Sequence, residues 1–195
     1  MSRTASVQRN TTETQISLTL NLDGSGQATI ETGIGFFDHM LNLWTRHGLF
    51  DVKLTVKGDL EVDCHHTVED TGIVLGQALL QAMGDKAGIK RYGTAFVPMD
   101  EALAMVSLDL SGRAYLAWDV ALPSRQVGQF DTEMTEEFLR AFCQHAGVTM
   151  HVRLLAGKNA HHIIEAIFKA LGRALDEATR QDERIAGVMS TKGTL

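Results

Sequence analysis

Apolar and polar residues alternate along six short segments of the chain, a pattern typical of half-buried β-strands. Turn residues follow the first segment at Asp23-Gly24 and the fourth at Ser111-Gly112, so each half of the chain starts with two strands joined by a turn. In both halves a further strand follows after a gap long enough for a helix. The six predicted strands span residues 16–22, 28–30, 50–56, 104–110, 116–120 and 148–154.

Four longer segments repeat apolar residues at helical spacing instead. Gly48 and Gly147 follow the first and third of these segments, where a glycine commonly ends a helix. Each half of the chain therefore reads strand, strand, helix, strand, helix. The four predicted helices span residues 36–47, 65–82, 133–145 and 161–178.

The second and fourth predicted helices are two copies of one sequence. Both begin with the pattern His-His-x-x-Glu, and leucine, glycine and alanine positions further along match at the same spacing without a gap. Such agreement indicates an internal duplication. Aligning His47 with His145, near the ends of the first and third helices, extends the repeat and sets His39 opposite Glu137.

The duplicated pattern predicts an α+β fold with an internal duplication of two β-β-α-β-α-like halves, about 1–92 and 93–195. Small residues along the repeated helices permit close helix contact, so we expect sheets packed on a helical layer. The chain has only two prolines and no linker-like stretch, which favours a single compact domain over residues 1–195.

Composition and charge narrow the possible functions. Apolar residues make up 44% and charged residues 22%, as in ordinary globular proteins, and the net charge of −6 disfavours nucleic acid and acidic membranes as partners. No apolar run approaches the roughly 20 residues that a membrane helix needs. The N-terminal residues lack the apolar stretch of a signal peptide, so we expect a cytoplasmic protein.

The repeated His-His-x-x-Glu pattern is typical of a metal site. On a helix, Glu69 shares a face with His65, four residues before it, and with His66, three residues before it. Adjacent histidines point about 100° apart on a helix, so one helix can supply two different metal ions. Imidazole and carboxylate ligands without thiolate suit manganese, iron or zinc.

A single copy of this pattern is more often a set of solvated or hydrogen-bonded side chains. Two copies at matching places favour metal binding, because burying several imidazoles and carboxylates together is costly without a cation. The second copy supplies His161, His162 and Glu165. His39 and its repeat partner Glu137 are further candidate ligands.

A second group of residues is basic or small and polar, as in sites that bind an anion. Each residue alone is typical of a solvated surface, but together they could hold a phosphate. The group consists of Arg91, Arg113, Lys169, Ser190 and Lys192.

Five motifs resemble those of the imidazoleglycerol-phosphate dehydratase family, in the family's order and over nearly the whole chain. They are Gly35–Leu41, Asp63–Asp70, Met99–Ala102, His161–Ala166 and Ser190–Gly193. The resemblance implies a lyase of histidine biosynthesis that removes water from D-erythro-1-(imidazol-4-yl)glycerol 3-phosphate to give 3-(imidazol-4-yl)-2-oxopropyl phosphate. It also implies two manganese ions per active site, and sites formed between subunits of a large homo-oligomer of cubic symmetry.

Roles for individual residues follow from the same resemblance. The implied metal ligands are His39, His65, His66, Glu69, His161, His162 and Glu165, with Glu137 where many family members carry histidine. The implied substrate contacts are Glu13, Arg91, Arg113, Lys169, Ser190 and Lys192. The proton to be removed lies on a barely acidic carbon, and the first candidate base is Glu165, with Glu69 and Glu13 as alternatives. A metallohydrolase and a non-catalytic metal-binding shell protein are the rival hypotheses.

Overall fold

A computed structural model describes residues 3–195 of the chain. Its first half contains four strands and two helices, and the strands form one sheet in the order β1-β2-β4-β3, with β3 parallel to β4 and the other pairs antiparallel. The elements are β1 (Thr4–Asn10), β2 (Thr14–Asn21), β3 (Ala28–Glu31), α1 (Gly35–Gly48), β4 (Asp51–Gly58) and α2 (His65–Met83).

The second half repeats this arrangement. Its sheet has the order β5-β6-β10-β7, with β7 parallel to β10, and a two-stranded hairpin of β8 and β9 is added before the third helix. The elements are β5 (Tyr92–Met99), β6 (Ala102–Asp109), β7 (Tyr115–Asp119), β8 (Gln126–Val127), β9 (Phe130–Asp131), α3 (Met134–Ala146), β10 (Thr149–Ala156) and α4 (Ala160–Thr179). The predicted α+β class with duplicated halves is confirmed.

The helices of the two halves pack against each other. Helix α2 contacts α3 and α4 contacts α1, while α2 also lies on β1 and β2 and α4 on β5 and β6. A Cβ atom on Gly172 would lie 2.5 Å from the Trp44 carbonyl oxygen, and one on Gly76 would lie 2.6 Å from the Phe142 carbonyl oxygen. These matching contacts pair Trp44 with Phe142, the same alignment that sets His39 opposite Glu137.

Each half begins with one strand more than the sequence pattern predicted. In β1 only Ala5 and Val7 are buried, which is too little alternation to identify a strand. In β5 the buried positions are small and the aromatic side chain of Phe96 points outward, the reverse of the usual pattern. Helix α4 lies so close to β5 that a Cβ atom on Gly93 would be 1.9 Å from the Ala174 carbonyl oxygen.

The helix ends are close to the predicted ones. Gly147 has a φ of 65° directly after α3, as a glycine that ends a helix commonly does. In α1, Gly48 is still helical and the left-handed conformation falls on Leu49, with a φ of 56°. Within residues 3–195, none of the helices is long and apolar enough to cross a membrane.

Candidate metal centre

Three predicted ligands converge where the beginnings of α1 and α4 meet. The Nε2 atom of His161 lies 3.2 Å from Oε2 of Glu165, and Nε2 of His39 lies 3.6 Å from the same oxygen. The ligand atoms of all three residues lie within 4.8 Å of one another. Two imidazole nitrogens and a carboxylate oxygen around one point are a donor set that manganese, iron or zinc accepts. The residues therefore fit a metal ion.

Lys169 fixes the carboxylate at the centre of this cluster. Its Nζ atom lies 2.6 Å from Oε1 of Glu165, which leaves Oε2 to face the two histidines. Burial alone raises the pKa of the Glu165 carboxyl, but the hydrogen bond and charge of Lys169, with smaller contributions from His39 and His161, lower the pKa overall. Glu165 is thus held ionised, as a metal-ligating carboxylate must be.

The neighbouring histidine points elsewhere. The rings of His161 and His162 are inclined at 82° with their centroids 6.1 Å apart, which agrees with the divergence expected of adjacent helical residues. Nδ1 of His162 donates a hydrogen bond to Oε2 of Glu101 over 2.7 Å, so Nε2 is left for a ligand. The hydrogen bond from His162, followed by backbone N–H groups, lowers the pKa of Glu101 to about 2, and the same bond raises the pKa of His162.

The first copy of the motif shows the same divergence. His65 and His66 are inclined at 79°, and Nε2 of His65 lies 3.7 Å from Oε2 of Glu69. Nδ1 of His66 donates to the carboxylate of Asp59, at 2.9 and 3.2 Å from its two oxygens, while Nε2 lies 3.8 Å from Oε1 of Glu13. His65 and Glu69 have no third ligand close by: across residues 3–195, the His39 cluster is the one group of three that meets at a point.

Glu137 lies in the first turn of α3, and the repeat alignment sets it opposite His39 of α1. Its carboxylate lies 3.7 Å from Nε of Arg140 and its side chain is 39% exposed. An ion pair this exposed contributes little to the stability of the folded protein. A metal-ligand role for Glu137 stays a prediction that rests on the repeat alignment.

The predicted anion-binding residues gather around the C-terminal tail, with one exception. The guanidinium of Arg91 donates to both carboxylate oxygens of Asp109, at 2.7 and 3.0 Å, and to the carbonyl oxygen of Met189, which leads into the tail containing Ser190 and Lys192. Arg113 lies 3.8 Å from the same Asp109 and is 71% exposed. These basic and polar groups therefore lie at the end of the second sheet where β5 begins and β6 ends.

Lys169, the exception, lies at the opposite end of β5. Its Nζ atom is 3.4 Å from the sulfur of Met99, the last residue of β5, whereas Arg91 precedes the first. Eight residue steps at about 3.3 Å per residue separate Arg91 from Met99 by about 26 Å. Lys169 and Arg91 therefore lie near opposite ends of β5.

The sequence reasoning missed two carboxylates that contact candidate metal ligands. Asp59 follows β4 and Glu101 lies in the turn between β5 and β6, and each accepts a hydrogen bond from the second histidine of a repeat. Glu101 lies in Met99–Ala102, one of the five motifs that carry the family resemblance, and this motif could have identified it. Nothing in the spacing of Asp59 pointed to His66.

Known proteins are similar to this chain over almost its full length. The family model described as imidazoleglycerol-phosphate dehydratase matches residues 32–175. An imidazoleglycerol-phosphate dehydratase from Acetivibrio thermocellus is 62% identical over 195 residues, covering 100% of both chains. A crystal structure of that dehydratase from Staphylococcus aureus has a TM-score of 0.83 at 44% identity, covering 92% of this chain and 99% of the other. One from Pyrococcus furiosus has a TM-score of 0.84 at 37% identity, covering 97% and 100%.

Proposed function

The chain belongs to the imidazoleglycerol-phosphate dehydratase family, and we propose that it is a manganese-dependent hydro-lyase of histidine biosynthesis. The proposed reaction removes water from D-erythro-1-(imidazol-4-yl)glycerol 3-phosphate and yields 3-(imidazol-4-yl)-2-oxopropyl phosphate. We propose that it takes place in the cytoplasm. The single observation that carries the proposal is the meeting of His39, His161 and Glu165, whose ligand atoms lie within 4.8 Å of one another.

Two manganese ions per active site would be held by nitrogen and oxygen ligands alone. Bound there, manganese supplies positive charge that orients the substrate and stabilises developing negative charge. The adjacent histidines of α2 and of α4 diverge by 79° and 82°, so each pair could supply two different ions. The proposed ligands are His39, His65, His66, Glu69, Glu137, His161, His162 and Glu165.

The three carboxylates proposed as bases differ in what their oxygens already contact. Glu165 has one oxygen bound by Lys169 and the other facing two histidines, and its pKa is lowered, so a ligand role suits it better than proton removal. Glu13 is half exposed and has an oxygen 3.8 Å from Nε2 of His66. We therefore place the departing C–H proton on the Glu13 carboxylate, with Glu69 as the alternative.

The separation of the two predicted substrate-contacting regions supports an active site shared between chains. Arg91, which donates to the Met189 carbonyl oxygen at the start of the tail, lies about 26 Å along β5 from Met99, which Lys169 contacts. We infer that a phosphate held by Arg113, Ser190 and Lys192 would need the histidines of another copy. We propose a large homo-oligomer of cubic symmetry. A second copy then supplies what one chain lacks.

A dehydratase assay with metal-free and manganese-loaded protein tests the activity. We expect no turnover without metal, recovery on adding Mn²⁺, and none in Glu165→Gln at any manganese concentration that saturates the wild type. Full activity in exhaustively metal-free protein would exclude the proposal. Hydrolysis of an ester or amide would favour a metallohydrolase, and metal uptake without turnover a storage or shell protein.

Light scattering tests the assembly separately. We expect a large homo-oligomer whose completeness depends on Mn²⁺, because shared sites tie metal binding to association. A stable monomer with full dehydratase activity would contradict the shared site.

A further inference from the structure

The two oxygens of the Glu101 carboxylate make different contacts. Oε1 accepts hydrogen bonds from the backbone N–H groups of Lys158 and Asn159, at 3.1 and 2.8 Å. Oε2 accepts the hydrogen bond from Nδ1 of His162 at 2.7 Å. Since a backbone N–H can only donate, the position of Oε1 must be filled by an acceptor.

The groups around Glu101 are held by the start of α4. The side chain of Asn159 accepts from the backbone N–H groups of His161 and His162, at 2.9 and 3.4 Å, and so caps the helix. Glu101 follows Asp100, whose φ of 48° marks the tight turn between β5 and β6. Turn and helix cap together fix which oxygen of Glu101 faces His162.

We propose that Glu101 is a positioning residue that fixes the tautomer of His162, keeping the proton on Nδ1 and the lone pair on Nε2. The inference rests on the proposed metal-dependent function, in which Nε2 of His162 is a ligand atom. A metal-ligating histidine generally donates its other N–H to a carboxylate or carbonyl group, which sets ring orientation and tautomer.

Glutamine at position 101 would reverse this tautomer without changing the size of the side chain. Its amide has one acceptor and one donor end. The backbone N–H groups of Lys158 and Asn159 would donate hydrogen bonds to the amide oxygen, so the amide NH₂ would face Nδ1 of His162. Nδ1 would then have to accept, and the proton would move to Nε2, where it blocks a metal ion.

Asp59 and His66 provide a matched control in the other half. Both oxygens of Asp59 lie near Nδ1 of His66, at 2.9 and 3.2 Å. Within residues 3–195 the Asp59 carboxylate accepts hydrogen bonds from His66 alone. Asparagine at 59 can therefore turn its oxygen toward Nδ1 and preserve the original tautomer. Of these two isosteric carboxylate-to-amide changes, Glu101→Gln should therefore reverse a tautomer and Asp59→Asn should leave it unchanged.

The tautomers can be measured on the full-length, metal-free protein labelled with nitrogen-15 histidine. At alkaline pH the imidazoles are neutral, and nitrogen shifts distinguish Nδ1–H from Nε2–H. Loss of signals in His162→Gln and His66→Gln assigns the two rings. We expect Nδ1–H in both rings of the wild type, Nε2–H for His162 in Glu101→Gln, and an unchanged spectrum for His66 in Asp59→Asn.

Manganese titration of the same proteins gives a second readout. Glu101→Gln should bind one manganese at least about 10-fold more weakly, the scale typical of such outer contacts. Asp59→Asn should stay within a few-fold of the wild type. Glu101→Asp, which keeps two acceptor oxygens, should retain the Nδ1–H tautomer and recover much of the affinity.

The possible results separate this inference from the proposed function. An Nε2–H tautomer of His162 in the wild type overturns the inference, whether or not the variants fold. So does a Glu101→Gln protein with the wild-type tautomer and affinity. Failure of the wild type to bind manganese would instead overturn the proposed function, while the tautomer comparison would still be decided.

Discussion

Replacing Gly172 by alanine should destabilise the protein although alanine is the better helix former. The added Cβ atom would lie 2.5 Å from the Trp44 carbonyl oxygen and 3.0 Å from the backbone nitrogen of Gly48. Both neighbours are backbone atoms of α1, so the conflict cannot be relieved by a side-chain rotation. Helices α1 and α4 would have to move apart.

The size of the effect follows from two opposing contributions. Overpacking a core costs about 1–3 kcal/mol, whereas alanine is favoured over glycine in a helix by about 1 kcal/mol. We expect a net loss of up to about 2 kcal/mol in the free energy of unfolding, which for a chain of 195 residues lowers Tm by up to about 8 °C. Moving α1 also displaces His39, now 3.6 Å from Glu165, so manganese affinity should fall with stability.

Thermal unfolding of the metal-free protein, followed by circular dichroism, measures the change. Gly35→Ala on α1 is the matched control, because a Cβ atom there meets nothing within 4 Å, and its Tm should equal or slightly exceed that of the wild type. Gly76→Ala should behave like Gly172→Ala, since its Cβ atom would lie 2.6 Å from the Phe142 carbonyl oxygen. A Tm for Gly172→Ala at or above the wild-type value would refute the close-contact argument.

Three further predictions concern single side chains. Lys192→Ala should raise the KM for the phosphorylated substrate about 10-fold or more and leave manganese content unchanged, because a charged hydrogen-bond donor is lost; an unchanged KM would count against a phosphate role. Glu137→Gln should weaken one manganese while Glu137→His retains it, and normal stoichiometry in the glutamine variant would remove Glu137 from the ligands. The hydrogen bond from His162, followed by those from backbone N–H groups, lowers the pKa of Glu101 from 4.5 to about 2. The contribution of Glu101 to the free energy of unfolding is therefore fully present above pH 4.5 and is lost as the pH falls toward 2. Acid titration of metal-free wild type and Glu101→Ala should show their stabilities converging toward pH 2; a constant difference would contradict this sign.

Sequence patterns predicted most of the fold because helices and central strands bury one regular face. Strand β5 was not predicted because helix α4 lies directly on it. The residues that it buries, such as Gly93 and Ala95, are therefore small, while Tyr92 and Phe96 are exposed. Periodicity identifies a buried face only where large residues fill it. Here close backbone approach replaces side-chain volume, which a one-dimensional pattern does not record.

The candidate site divides in the same way. Spacing along one helix correctly indicated that His161 and Glu165 would meet and that His162 would diverge, because helix geometry is local. The repeat and the family resemblance made His39 a candidate ligand, but neither predicted that it would meet this pair. Neither helix spacing nor the family resemblance could predict the separation of Arg91 from Lys169, because it depends on the length and direction of β5.

The shared helical layer ties the stability of each half to the other. An isolated first half would expose the surface of α2 that α3 covers and the surface of α1 that α4 covers. Such a fragment would satisfy both surfaces only by pairing with a second identical fragment about a twofold axis. Joining two such fragments in one polypeptide removes the requirement that both copies stay identical. A position can then differ between the two sides, as His39 and Glu137 do in the repeat alignment, and a fused chain could acquire chemical asymmetry while keeping a symmetric core.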